Sequence, residues 1–217
     1  MPDLRKFLFL ITASLLFSLS GYSQSYIGVF GGINSSRFSG DTPDKGNYKG
    51  LLRLNAGAFI DIQVGKVVSL GLQPSYSQEG TRVFYQTSYA EEPVDSTRIK
   101  LNYFSLPVVV KVTSTNERFY AVSGVEAGYL LSSSIDNGET EEDIRTDVSE
   151  FNIALHFGAG INIPVGYGLI FIELRYAQGL FNLTDEPLDK SHIPRIKTSG
   201  FRLLTGYRIP LSGSKNQ

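Results

Sequence analysis

Apolar and polar residues alternate at a period of two along most of this chain. Side chains of a β-strand point alternately to opposite faces, so each such run predicts a strand with one apolar and one polar face. In the second run Leu52, Leu54, Ala56, Ala58, Ile60 and Ile62 alternate with Arg53, Asn55, Gly57, Phe59, Asp61 and Gln63. Val68, Leu70, Leu72, Pro74 and Tyr76 mark a third strand, and Phe104, Leu106, Val108, Val110 and Val112 a fourth. Phe119, Ala121, Val125, Ala127, Tyr129 and Leu131 form the face of a fifth. The sixth is the cleanest, with Phe151, Ile153, Leu155, Phe157, Ala159, Ile161 and Ile163 on one face and Asn152, Ala154, His156, Gly158, Gly160 and Asn162 on the other. Ile170, Ile172, Leu174 and Tyr176 mark a seventh; Phe201, Leu203, Tyr207 and Ile209 mark an eighth. The first, Ser25 to Asn34, is glycine-rich, with Ile27, Val29 and Ile33 in phase.

The connections alternate as well. Val64–Lys66, Ser114–Arg118 and Pro164–Gly168 are short, whereas Ser35–Gly50, Glu79–Arg98, Ser132–Glu150 and Gly179–Lys197 are long and polar. Short turns at one end and long loops at the other are the pattern of outer-membrane barrels, with turns periplasmic and loops extracellular. The expected fold is all-β: a closed antiparallel up-and-down transmembrane β-barrel of eight strands, four long extracellular loops and three short periplasmic turns. Closure satisfies the strand edges, which lipid cannot hydrogen-bond.

A soluble barrel such as a lipocalin alternates too, with its apolar face inward. Three features favour lipid outside. The polar face is rich in Gly, Ser and Asn, as a narrow lumen requires. The strand charges Arg53, Asp61, Lys111, Glu126, Glu173, Arg175, Arg202 and Arg208 all fall on that face, with Lys100 the exception near a loop. An Arg or Lys facing lipid at mid-membrane costs roughly 2–4 kcal/mol, so phase matters. Finally, with strands running alternately up and down, Tyr76, Phe104, Tyr129, Phe151, Tyr176 and Phe201 all land at the loop end of the apolar face. That is an interfacial aromatic girdle.

The N-terminus reads as an export signal. Arg5 and Lys6 precede the apolar run Phe7–Leu19, and small residues Gly21 and Ser23 suit cleavage after Ser23. Residues 1–23 are then a cleaved signal peptide and 24–217 the barrel domain of a cell outer-membrane protein. The chain has no cysteine, which excludes disulfides, thiolate metal sites and a cysteine-linked lipid anchor. A formal net charge of −1 gives no basic face for nucleic acid.

Candidate chemistry is sparse. Pairing of the middle strands brings Glu126 opposite His156, with Arg175, Glu173 and Arg202 in the same region of the lumen. This group reads as a structural salt-bridge network rather than a catalytic His–Glu pair, because buried charges must be paired and an eight-stranded lumen is filled by side chains. His192, beside Ser191 and near Asp189, reads as a loop histidine. The stretch with Asp136, Glu139, Glu141, Glu142, Asp143, Asp147 and Glu150 lacks the ligand spacing of an EF-hand and reads as a solvated acidic loop. No catalytic residue, metal ligand or cofactor is expected.

The segments Gly28–Asn34, Leu72–Gly80, Leu101–Pro107, Gly158–Asn162 and Leu174–Leu180, in that order and spacing, resemble the PorT-like outer-membrane β-barrel family, from about Ser25 to Pro210. The resemblance implies an eight-stranded outer-membrane barrel, in a family whose members mostly have no assigned activity. The founding member's association with secretion does not carry over. The expected role is structural or loop-mediated binding. A small pore, or an enzyme acting on envelope lipid, is the alternative. The expected partners are outer-membrane lipid, the barrel-assembly machinery and an extracellular or envelope protein met through the loops.

Overall fold

The computed structural model describes residues 25–41, 46–85, 95–183 and 196–211. The expected signal peptide (1–23) and the Asp189, Ser191 and His192 group lie outside the described residues.

Ten strand segments form one antiparallel sheet. They are β1 (Tyr26–Gly40), β2 (Gly46–Gln63), β3 (Val68–Leu72), β4 (Ser75–Tyr85), β5 (Asp95–Thr113), β6 (Phe119–Asp136), β7 (Glu141–Asp143), β8 (Phe151–Val165), β9 (Gly168–Gly179) and β10 (Ile196–Pro210). The sheet closes. β1 pairs with β2 on one side and with β10 on the other, from Tyr26 opposite Pro210 to Gly40 opposite Ile196. β3 and β4 both bridge β2 and β5, so they are one wall broken at Gln73–Pro74. Pro74 has no N–H to give a ladder, and its carbonyl instead accepts from Ala58 N–H at 3.0 Å. β7 only folds back on the end of β6. Eight walls therefore enclose the lumen.

The apolar phase faces out. Val29 and Leu54 are each 63% exposed and Phe151 66%. A continuous apolar band of this kind suits hydrocarbon, not water. The alternate residues Asn34, Asn55, Asp61, Lys111, Glu126, His156, Glu173, Arg175, Arg202 and Arg208 are buried inside.

The walls are longer than the expected strands. Residues of the predicted loops Ser35–Gly50, Glu79–Arg98, Ser132–Glu150 and Gly179–Lys197 are taken up into β1, β2, β4, β5, β6 and β10. A membrane crossing needs about 9–11 tilted residues, so walls such as β5, with 19, rise well beyond the bilayer. There the pattern inverts: Val83, Leu101 and Tyr103 are buried inside, and Arg82, Arg98 and Lys100 face outward. The inversion follows from the solvent, because above the membrane water is on the outside and the apolar side chains turn in.

Arg53, expected in the lumen, lies outside it. The β2–β4 register shifts between Gly50 and Asn55. At this bulge Arg53 leaves the lumen, and its Nη2 donates to Asn102 Oδ1 at 2.8 Å. Asn102 in turn donates to Ser132 Oγ, and Gln78 Nε2 to the Tyr76 hydroxyl. Bulges commonly re-aim a side chain in this way.

Candidate functional site

The lumen is layered, and apolar side chains occupy both ends of a polar middle. At the periplasmic end Phe30, Phe59, Val109, Tyr120, Val122, Phe171 and Leu204 form one buried cluster. Two inward glycines make room for it: a Cβ on Gly160 would overlap the Tyr120 ring, and one on Gly206 the Phe171 ring. Lys111 and Arg208 sit among these rings. Lys111 Nζ donates to Asp61 Oδ2 at 2.7 Å and lies 5.1 Å from the Phe59 ring centroid. The Arg208 guanidinium lies 5.0 Å from Phe171 and 5.3 Å from Tyr120. Aromatic faces attract cations, so these rings help hold charge away from water.

The middle layer is ionic. Arg202 is 2% exposed and spans the lumen. Its Nη1 donates to Glu126 Oε2 at 2.6 Å, and its Nη2 donates to Glu126 Oε1 at 3.1 Å and to Glu79 Oε1 at 2.7 Å. His156 Nε2 lies 3.0 Å from Glu126 Oε2, off the line of a good hydrogen bond. Arg175 stands opposite Arg202 in the register and is paired with Glu173. The four buried carboxylates Asp61, Glu79, Glu126 and Glu173 thus face the four buried cations Lys111, Arg175, Arg202 and Arg208. Buried charge in a narrow lumen requires such balance.

At the extracellular end Phe38, Leu101, Tyr103, Leu130, Val148 and Leu183 form a second buried cluster, with Tyr48, Ile99, Ile144 and Ile196 packed against it. A cavity of about 170 Å³ opens there, lined by apolar side chains and Tyr48. A separate cavity of about 260 Å³ opens at the periplasmic end, lined in part by Asp61, Lys66, Glu117 and Arg208.

Of the residues singled out from sequence, Glu126 meets both His156 and Arg202, while Glu173 and Arg175 pair with each other. Glu79 completes the ionic layer, although the sequence pattern assigns it to the loop Glu79–Arg98. The signal for it is the run Glu79, Thr81, Val83 against Gly80, Arg82, Phe84, which continues the phase of Tyr76. Tyr76, Phe104, Tyr129 and Phe151 lie opposite one another in a single row across four walls. Tyr176 lies opposite Phe201 and Phe157, with centroids 5.1 and 5.2 Å away. The acidic segment folds partly as β7, where Lys100 bridges Asp136 at 2.9 Å and Glu141 at 3.1 Å. Among the described residues no three acidic or histidine side chains converge as a metal site.

Residues 18–185, more than half of the chain, match the family described as outer membrane protein beta-barrel domain. Several solved structures are similar over most of their length. Ail, the attachment invasion locus protein of Yersinia pestis, is 17% identical, with 87% of this chain and 100% of that one covered and a TM-score of 0.43. Neisserial surface protein A is 12% identical, with 85% and 96% covered and a TM-score of 0.45. OprG from Pseudomonas aeruginosa is 11% identical, with 90% and 99% covered and a TM-score of 0.44. No curated protein matches the chain. Family membership rests on the family match and not on these structures.

Proposed function

The chain belongs to the outer membrane protein beta-barrel domain family, and we propose that this integral outer-membrane barrel is sealed and non-catalytic and serves as a platform for binding through its extracellular end. The observation that carries this reading is the layered lumen. Among the described residues, apolar clusters lie on either side of the layer held by Arg202, Glu79 and Glu126 and interrupt a polar path through the barrel. An eight-stranded interior is just wide enough for its side chains to fill. The same layering weighs against catalysis, since the His156 side chain is fully buried and a substrate has no route to it.

Walls that rise beyond the membrane give the extracellular end a rigid rim on which loops can meet a partner. The PorT-like resemblance fits a finer placement within the family. Cleavage after Ser23, delivery by the barrel-assembly machinery and a protein partner at the loops belong to the same proposal. Planar-bilayer recording of the purified barrel tests it: no unitary conductance is expected, and stable single-channel steps would overturn the sealed-lumen reading in favour of a small pore.

A further inference from the structure

We propose that a row of basic side chains on the outer wall, above the aromatic collar, binds the phosphorylated sugar headgroup of an outer-leaflet glycolipid. The row is Lys49 on β2, Arg82 on β4 and Arg98 on β5. Lys49 lies directly opposite Arg82, and Arg82 directly opposite Arg98. The strand neighbours of Arg82, Thr81 and Val83, are buried inside, and residues directly opposite on adjacent strands share a face, so the three cations lie on the outer face.

Like charges placed directly opposite on one face of a sheet destabilise it. Within the described structure little offsets this. Neither Lys49 nor Arg82 is in an ion pair among the described residues, and Arg82 Nε is buried without a hydrogen-bond partner. Arg98 faces Asp136, but Lys100 already holds that carboxylate at 2.9 Å. The Phe84 ring keeps two of the cations together, with Lys49 Nζ 4.5 Å and the Arg82 guanidinium 5.9 Å from its centroid. Arg37 on β1, exposed, extends the basic side of the wall, whereas the acids Asp136 and Glu141 lie on β6 and β7. Among the described residues no carboxylate is paired with Lys49 or Arg82, and an external anion would supply the counter-charge.

Height selects which anion. Arg82 is six residues beyond Tyr76 on the same wall. At about 3.3 Å per residue and a tilt near 40°, that is about 15 Å above the collar. Phospholipid headgroups reach only about 5–8 Å beyond the hydrocarbon. The row therefore stands at the level of phosphorylated sugars carried by a larger glycolipid. It also faces sideways along the membrane plane, toward neighbouring lipid rather than toward the loop tips. This inference rests on the barrel's embedding in the outer membrane.

The test uses the full mature chain in detergent. Retention of a phosphorylated outer-membrane glycolipid, its dephosphorylated form and phosphatidylglycerol is compared by native mass spectrometry, with inorganic phosphate as competitor. Each Lys or Arg near an anionic surface is worth roughly fivefold in affinity, so Lys49→Gln/Arg82→Gln/Arg98→Gln should bind the phosphorylated glycolipid on the order of 100-fold more weakly. Arg82→Gln alone should bind it about fivefold more weakly. In lipid-free detergent the triple variant should unfold at a higher temperature than the parent, because the repulsion is gone. Undiminished glycolipid binding by the triple variant overturns the proposal. So does equal retention of the dephosphorylated form or of phosphatidylglycerol, or displacement by millimolar inorganic phosphate. Loss of the chain from washed membranes would instead sink the embedding on which the proposal rests.

Discussion

Replacing Arg202 with Met should be among the most damaging single changes in the lumen. Arg202 is the only cation in direct contact with both Glu79 and Glu126 among the described residues, through bonds of 2.6 to 3.1 Å. All three side chains are buried. Breaking a buried ion pair by removing one partner costs about 3–5 kcal/mol, because the charge left behind has lost water and found nothing in return. Here two carboxylates are left behind, so the upper end of that range is expected. Urea unfolding in lipid vesicles, followed by far-ultraviolet circular dichroism and gel mobility, measures it. Adding Glu79→Gln and Glu126→Gln to Arg202→Met should restore most of the loss, since replacing every member of a buried ionic group by neutral side chains of similar volume is often near neutral. His156→Gln should cost no more than about 1 kcal/mol, because its contact with Glu126 is poorly aligned. The reasoning fails if Arg202→Met lies within about 1 kcal/mol of the parent, or if the triple variant is no more stable than the single one.

Val125 faces lipid four residues below the collar residue Tyr129, so Val125→Arg should destabilise the barrel in vesicles by roughly 2–4 kcal/mol. Gly160→Val should expel the Tyr120 ring and loosen the periplasmic cluster, read as a lower unfolding midpoint and faster hydrogen exchange in β6 and β8. Asp136 is held below the usual carboxylate range chiefly by Lys100 and then by the Gly138 N–H, and Glu141 by the Ser134 hydroxyl and then Lys100. A lowered folded value means that their contribution is present above the ordinary range and is lost as pH falls through the lowered values. The β6–β7 hairpin should therefore stay closed at neutral pH and loosen as pH falls below the ordinary carboxylate range, with the Glu141 carboxyl resonance in NMR reporting the step. An unchanged hairpin at pH 2 would count against this.

Several features follow from the sequence alone, because a strand has period two and lipid tolerates no slip. The alternation of Leu52 to Ile62 and of Phe151 to Ile163 specifies which face meets hydrocarbon. It also places Glu126, His156, Arg175 and Arg202 together on the other face. The collar residues come from the same phase once the walls run alternately up and down. What the alternation cannot reveal is where it reverses. Above the membrane the outer face meets water, so Leu101 and Tyr103 turn inward while Arg82 and Arg98 turn outward, and strand residues read as loop.

Tertiary structure also decided the pairings. Glu79 and Arg202 are far apart in the chain and meet only because the barrel closes β1 on β10. Arg53 leaves the lumen because one bulge shifts the register of β2 against β4, which no local pattern announces. The apolar rings of Phe59, Tyr120 and Phe171 stand at positions that count as polar by phase. They belong there because a narrow lumen is also a core. It must be filled as well as neutralised, and only closure of the barrel brings together the side chains that fill it.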